Sequence, residues 1–156
     1  FGTVPDLRSY NSMINACAVL GDEENAEHWI SQMLQHGVSP NAVTYGTLCK
    51  LLARLGKVQK IESIMQRMME VGLSLNEYHF ASLISGCGAQ NPPDLKKAEQ
   101  AFFNMAQLGL RTSSVKRCLA KVVGHHRALH LARQAGRRYS DLDLRSGWKV
   151  RDGASG

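Results

Sequence analysis

The residues that could do chemistry are few and scattered. Cys17, Cys49, Cys87 and Cys118 lie 32, 38 and 31 residues apart, with no CxxC pair to suggest zinc or redox work. They read as buried reduced thiols, and a disulfide-stapled secreted domain is disfavoured because the chain is long enough to fold without staples. His126 and His130 stand at helical i, i+4 spacing that could chelate a metal, but no acidic or thiol ligand sits nearby. Gly86-Cys87-Gly88 ends a helix rather than following a strand, so it is no phosphate cradle. Asp141 and Asp143 are paired carboxylates with no predicted fold around them. No nucleophile motif is present, and neither catalysis, a metal nor a cofactor is expected.

Charge gives a stronger lead. The net charge of +6 is uneven: residues 111–156 carry eleven Lys/Arg against three Asp, or +8, and the preceding 110 residues carry −2. Arg133, Arg137, Arg138, Arg145, Lys149 and Arg151 are interleaved with Tyr139 and Trp148, a pattern compatible with stacking on single-stranded nucleic acid or with a solvated tail. At 44% hydrophobic and 21% charged the chain reads as a soluble folded protein, and no apolar run approaches the ~20 residues of a membrane span.

The elements that must position these residues show themselves as a repeat. GVSPNAVTYGTL at 37–48 aligns with GTVPDLRSYNSM at 2–13 and GLSLNEYHFASL at 72–83, each offset by 35 residues. Tyr10, Tyr45 and Phe80 keep that interval, as do Met33 with Met68 and Gly37 with Gly72, while Met105 and Gly109 arrive two residues late. Asn91-Pro92-Pro93 marks the place of the insertion, an inter-helix turn where extra length costs little. Within a unit the apolar series Tyr45, Leu48, Leu52, Leu55 and then Val58, Ile61, Met65, Met68 step by three and four, predicting two amphipathic helices. Gly21 and Gly56 suit helix C-termini, and Asp22 and Asp94 suit N-caps. Such a hairpin cannot bury both apolar stripes alone, so hairpins must stack into an all-α solenoid, with Met33, Met68 and Met105 as packing residues.

The spacing of 35, the aromatic followed by a small residue and an apolar pair (YNSMI, YGTLC, FASLI), the late Met, the Gly four residues on, and the closing Pro-Asp or Pro-Asn resemble the pentatricopeptide repeat family over roughly residues 2–113. The resemblance implies a right-handed α-solenoid of stacked antiparallel hairpins. It divides the chain into the tail of a preceding unit (1–6), repeats at 7–41, 42–76 and 77–113, a degenerate or capping hairpin (114–136) and a basic tail (137–156). The last hairpin would use Val115, Leu119 and Val122, then Ala128, Leu131 and Ala132, with Arg117 where the aromatic would stand. With no leading Met and a unit tail at its start, the chain is expected to begin inside a longer array; it carries no targeting peptide of its own.

What the resemblance implies for function is single-stranded RNA binding in a mitochondrion or chloroplast, one base per repeat, in RNA processing, stability, editing or translation. The reading residues are the one after the aromatic and the one that closes the unit: Asn11 with Asn41, Gly46 with Asn76, and Ala81 with Ser113. Asn11 with Asn41 resembles the pyrimidine-reading combination. Gly46 and Ala81 have no hydrogen-bonding side chain, so units two and three are expected to tolerate different bases. Asn41 and Asn76 also suit helix N-caps. Lys50 and Arg54 share a helical stripe with Val43 and Gly46 and are candidate phosphate contacts, although Val19 and Ala89 break the cationic rail in the other units. The alternative is a protein-interaction solenoid holding a peptide or helix on its concave face. A neutral or acidic concave face would favour that partner. Neither a small-molecule substrate nor a membrane is implied.

Overall fold

The computed structural model describes residues 3–139, which contain eight α-helices and no strand. They pair as hairpins: α1 (Leu7–Leu20) with α2 (Glu23–Gln35), α3 (Ala42–Arg54) with α4 (Val58–Glu70), α5 (Glu77–Ala89) with α6 (Leu95–Gln107), and α7 (Lys116–Val123) with α8 (His125–Tyr139). Local chemistry sets their ends. The side chains of Asp6, Asn41 and Asn76 cap α1, α3 and α5, and those of Asp22 and Asp94 cap α2 and α6, each accepting N–H bonds from the first turn. Between α3 and α4, Gly56 has φ +66°, and a Cβ there would lie 3.2 Å from the Ala89 carbonyl oxygen, so both conformation and close approach require glycine. The chain takes five residues to pass from α5 to α6, at 90–94, against three at 55–57; the two extra residues fall in the turn that holds Asn91, Pro92 and Pro93.

The apolar stripes meet between hairpins. One core cluster runs from Cys17 and Ala26 through Leu52, Ile84 and Phe102 to Leu131 and Ala135, and a smaller one joins Tyr10, Ile14 and Met33. Met33, Met68 and Met105 are fully buried. Gly86 and Gly88, inside α5, let neighbouring helices come near: a Cβ on Gly88 would sit 2.6 Å from Val122 Cγ2. All four cysteines are unpaired; burial pushes the Cys49 thiol up to about 12 and Cys87 to about 11, far from a reactive thiolate.

Packing gives the array its curvature. Backbone contacts are dense between α1 and α3, α3 and α5, and α5 and α7, and sparse between α2, α4 and α6. The odd-numbered helices are therefore the closely spaced, inner side of the curve. Long charged side chains span the wider outer gaps. Glu23 accepts from Lys57 and from Lys60 at 2.5 Å, and Glu27 from Lys60 at 2.7 Å; Lys97 reaches Glu62 at 3.0 Å, and Arg127 grips Glu99 with two bonds of 2.7 Å.

The last hairpin is shorter than its predecessors. A 3-10 turn over Thr112–Ser114 precedes α7, which has eight residues and no side-chain cap, because Val115 occupies the cap position. Val115, Leu119, Ala128 and Leu131 are buried and Val122 and Ala132 half-buried. Helix α8 continues to Tyr139, past residue 136 where the tail was set by the repeat register. Asp141, Asp143, Arg145, Trp148, Lys149 and Arg151 lie outside the described residues.

Candidate nucleic-acid interface

On α1, α3 and α5, residues spaced by three and then four along each helix line up across the array in rows 35 residues apart. The first row is Arg8, Val43 and Tyr78, all exposed, Tyr78 at 80%. The second is Asn11, Gly46 and Ala81, all half-buried. The third is Asn15, Lys50 and Ser85, and the fourth is Val19, Arg54 and Ala89, all exposed. Three cations and no carboxylate stand on these rows. The acids of the hairpins sit elsewhere: Glu23, Glu27, Glu62 and Glu99 are on the outer helices, in the ion pairs above.

The structure brings Asn11 and Asn41 together. Asn41 Oδ1 accepts the Thr44 backbone N–H at 3.0 Å, and the Asn41 N–H donates to Thr44 Oγ1 at 3.1 Å, closing a capping box. Thr44, fully buried, donates its hydroxyl to Asn11 Oδ1 at 2.6 Å, and Asn11 Nδ2 lies 3.5 Å from Asn41 Oδ1. A backbone N–H can be accepted only by the amide oxygen, so the cap fixes which way Asn41 faces. Its Nδ2 is left as a donor. With its own oxygen held by Thr44, Asn11 offers N–H as well. The pair borders an open groove of about 640 Å³ that Arg8, Ser12, Asn15 and Thr47 line together with the Asp6 carboxylate that caps α1.

The second pair is built differently. Asn76 caps α5, its Oδ1 accepting from the N–H groups of Tyr78 at 3.0 Å and His79 at 3.4 Å, which again leaves Nδ2 as a donor. Across from it stands Gly46, and the atom facing the missing side chain is His79 Nε2, 3.6 Å from where a Cβ would be. The third pair does not form a comparable unit. Ala81 packs against the core, and Ser113 lies exposed in the 3-10 turn rather than at a helix N-cap, with no hydrogen bond to α5 among the described residues. The tie there is from the Arg111 backbone N–H to Glu77 Oε1 at 3.2 Å.

The stripe reading pairs Arg54 with Lys50 at a phosphate, and the structure gives Arg54 another partner. Its Nη1 donates to the carbonyls of Ala18 at 2.7 Å and Val19 at 3.2 Å in the last turn of α1, the former also accepting the Gly21 N–H at 3.3 Å. Lys50 is exposed and makes no ion pair among the described residues.

The comparisons with known proteins now bear on this geometry. Residues 5–54 match the family described as PPR repeat family, and residues 43–91 match the pentatricopeptide repeat domain, so that together they span more than half of the chain. The chain belongs to the pentatricopeptide repeat family. Among solved structures it is similar to the pentatricopeptide repeat protein PPR10 in complex with an 18-nt psaJ RNA element, at 20% identity and a TM-score of 0.73 over 91% of this chain and 21% of that one. It is also similar to the pentatricopeptide repeat protein PPR10 from maize, at 20% identity and a TM-score of 0.64 over 87% of this chain and 20% of that one. The chain thus spans about a fifth of the length of these structures. No curated protein matches it.

Within this pentatricopeptide repeat array, two contacts across a joint escape a reading of the repeat positions alone. Thr44 and His79 are third residues of their helices, and each acts on the half-joint contributed by the preceding repeat. The signal was present as the capping-box spacing Asn41-x-x-Thr44, but nothing in it points 33 residues back to Asn11. His126 and His130 are exposed on α8, and among the described residues no three metal-ligating side chains gather.

Proposed function

We propose that the chain is a single-stranded RNA-binding module of a longer pentatricopeptide repeat protein. The observation that carries this reading is the separation of charge between the two sides of the array. The inner rows hold Arg8, Lys50, Arg54 and a half-buried amide pair without a carboxylate, while acids on the outer helices are engaged in ion pairs. Such a face attracts phosphates and offers hydrogen bonds to bases. A neutral or acidic inner face, which a peptide partner would favour, is not what these rows present.

Asn11 and Asn41 form the base-reading pair of the first joint, displaying N–H donors suited to pyrimidine oxygens. Gly46 with Asn76 and Ala81 with Ser113 hold the corresponding places in the next two. Lys50 is the phosphate contact; Arg54, exposed, staples α1 to α3 through Nη1 and keeps further N–H donors for a phosphate. RNA-bound PPR10 and the family's character support the assignment, as well as a mitochondrial or chloroplast setting and a role in RNA processing, stability, editing or translation. The family is generally non-enzymatic, and no catalytic step is assigned.

The test is a titration with single-stranded oligomers at low salt. Binding should weaken as salt rises, with log K falling at a slope of about −1.4 for two phosphate contacts, and Lys50→Ala should reduce that slope by about 0.7. Absence of binding at low salt overturns the proposal.

A further inference from the structure

The first two joints can be superimposed residue by residue, 35 apart. Asn11 corresponds to Gly46, Asn41 to Asn76, and Thr44 to His79. Nδ1 of His79 accepts the Asn76 backbone N–H at 3.1 Å, as Thr44 Oγ1 accepts that of Asn41 at 3.1 Å. An imidazole is larger than a hydroxyl, and its far nitrogen therefore extends to where the side chain of residue 46 would begin. With glycine at 46 no side chain stands between that nitrogen and the space above α3.

That far nitrogen is a donor without a partner. Because Nδ1 is acting as an acceptor, the proton of the neutral ring is on Nε2. Burial lowers the ring's pKa, while a weaker hydrogen-bonding contact with the Ala42 backbone raises it without bringing an acceptor to full hydrogen-bond geometry at Nε2. His79 is 0% exposed, and Nε2 has no hydrogen-bond partner. Apart from its chain neighbours and the α3 backbone, the only atom among the described residues within 4 Å of a Cβ built on Gly46 is this Nε2, at 3.6 Å. A buried donor left unpaired is unfavourable, and what would relieve it is an acceptor entering the Gly46 slot.

We propose that His79 is the specificity-determining residue of the second joint, its Nε2–H reaching through the slot at Gly46 to a carbonyl oxygen of the base and selecting uracil over cytosine. The inference rests on the RNA-binding reading above. Asn76 has its oxygen taken by the cap and also presents N–H, so the joint offers donors only. Uracil brings a carbonyl to the edge where cytosine brings an amino group, and donor facing donor leaves both unpaired. The imidazole tilts toward the slot as the base enters, within its broad χ2 well. Gly46, an empty reading position on the repeat pattern, becomes the opening through which the next repeat reads.

The experiment titrates the full 156-residue chain with single-stranded oligomers exchanged between uracil and cytosine one position at a time. It compares the native chain with Gly46→Ala and His79→Thr. Alanine fits, since its methyl would meet Nε2 at an ordinary contact distance of 3.6 Å, yet it closes the slot. Threonine keeps the capping box of the first joint and removes the far donor. The native chain should prefer uracil by about fivefold at the nucleotide next to the one read by Asn11 and Asn41, the worth of one neutral hydrogen bond. Both variants should bring that ratio below about twofold and leave the other positions unchanged. Equal binding of uracil and cytosine by the native chain, or a ratio unchanged in either variant, overturns the proposal while leaving RNA binding intact. No binding to any oligomer overturns the RNA reading itself, and this inference with it.

Discussion

Asn41 shows how one side chain serves the fold and a site at once. Its oxygen caps α3, and the same bond fixes the amide so that N–H faces outward. Thr44 then orients Asn11 from below at 2.6 Å. Asn11→Ala leaves the buried Thr44 hydroxyl Asn41 Oδ1 as an acceptor at 3.0 Å, so the melting temperature should fall only slightly while binding of a pyrimidine at the first joint weakens several-fold, about 1 kcal/mol. Equal affinity of the variant and the native chain in that titration would remove Asn11 from the site. His79 makes a different prediction, about stability. Its folded pKa is depressed below 6.5, so as pH falls the unfolded chain takes the proton first. The contribution is complete above about pH 6.5 and is lost as pH falls toward the lower folded value; His79→Thr should flatten this part of the stability curve, as read by denaturant unfolding at a series of pH values.

At the scale of elements, each joint is closed on two sides by different means. The inner helices touch directly, helped by Gly86 and Gly88, and Arg54 ties α3 to the end of α1 through the Ala18 and Val19 carbonyls. The outer helices are bridged by ion pairs, of which Glu23 with Lys57 and Lys60 is the most shielded on its acid side. Those two lysines, Lys57 first, hold the Glu23 carboxyl below its usual 4.5. Its contribution is therefore present above about pH 4.5 and disappears as pH falls through the lower folded value. Glu23→Gln should cost about 0.5–1 kcal/mol at pH 7 and little at pH 3, measured by denaturant unfolding; a cost that does not change with pH would show that the bridge does not set it. Arg54→Ala should destabilise the first joint even without RNA, which a side chain serving only phosphate would not do.

For the whole molecule, the sequence made the hairpins legible because their constraint is periodic. Tyr10, Tyr45 and Phe80 are each buried, and a 35-residue interval is visible without any knowledge of contacts. The pairing of Asn11 with Asn41 came instead from the family resemblance, carried onto those positions of the repeat. What could not be read was any contact that crosses repeats through an individual side chain. Arg54 meets carbonyls 35 and 36 residues back, and His79 faces Gly46, where the glycine alone looked like an absence of function. Nor did the periodicity extend to the end, because at Val115 the cap residue is lost and a 3-10 turn replaces the N-cap joint that Asn41 and Asn76 make.

RNA bound by this chain should lie along the inner rows, and amide chemical-shift mapping with a single-stranded pyrimidine-rich oligomer would locate it. Shifts should concentrate on the side-chain amides of Asn11, Asn41 and Asn76 and on the exposed faces of α1, α3 and α5, with α2, α4 and α6 little changed. Shifts centred on the outer helices, or none at a low-salt excess of oligomer, would contradict that placement.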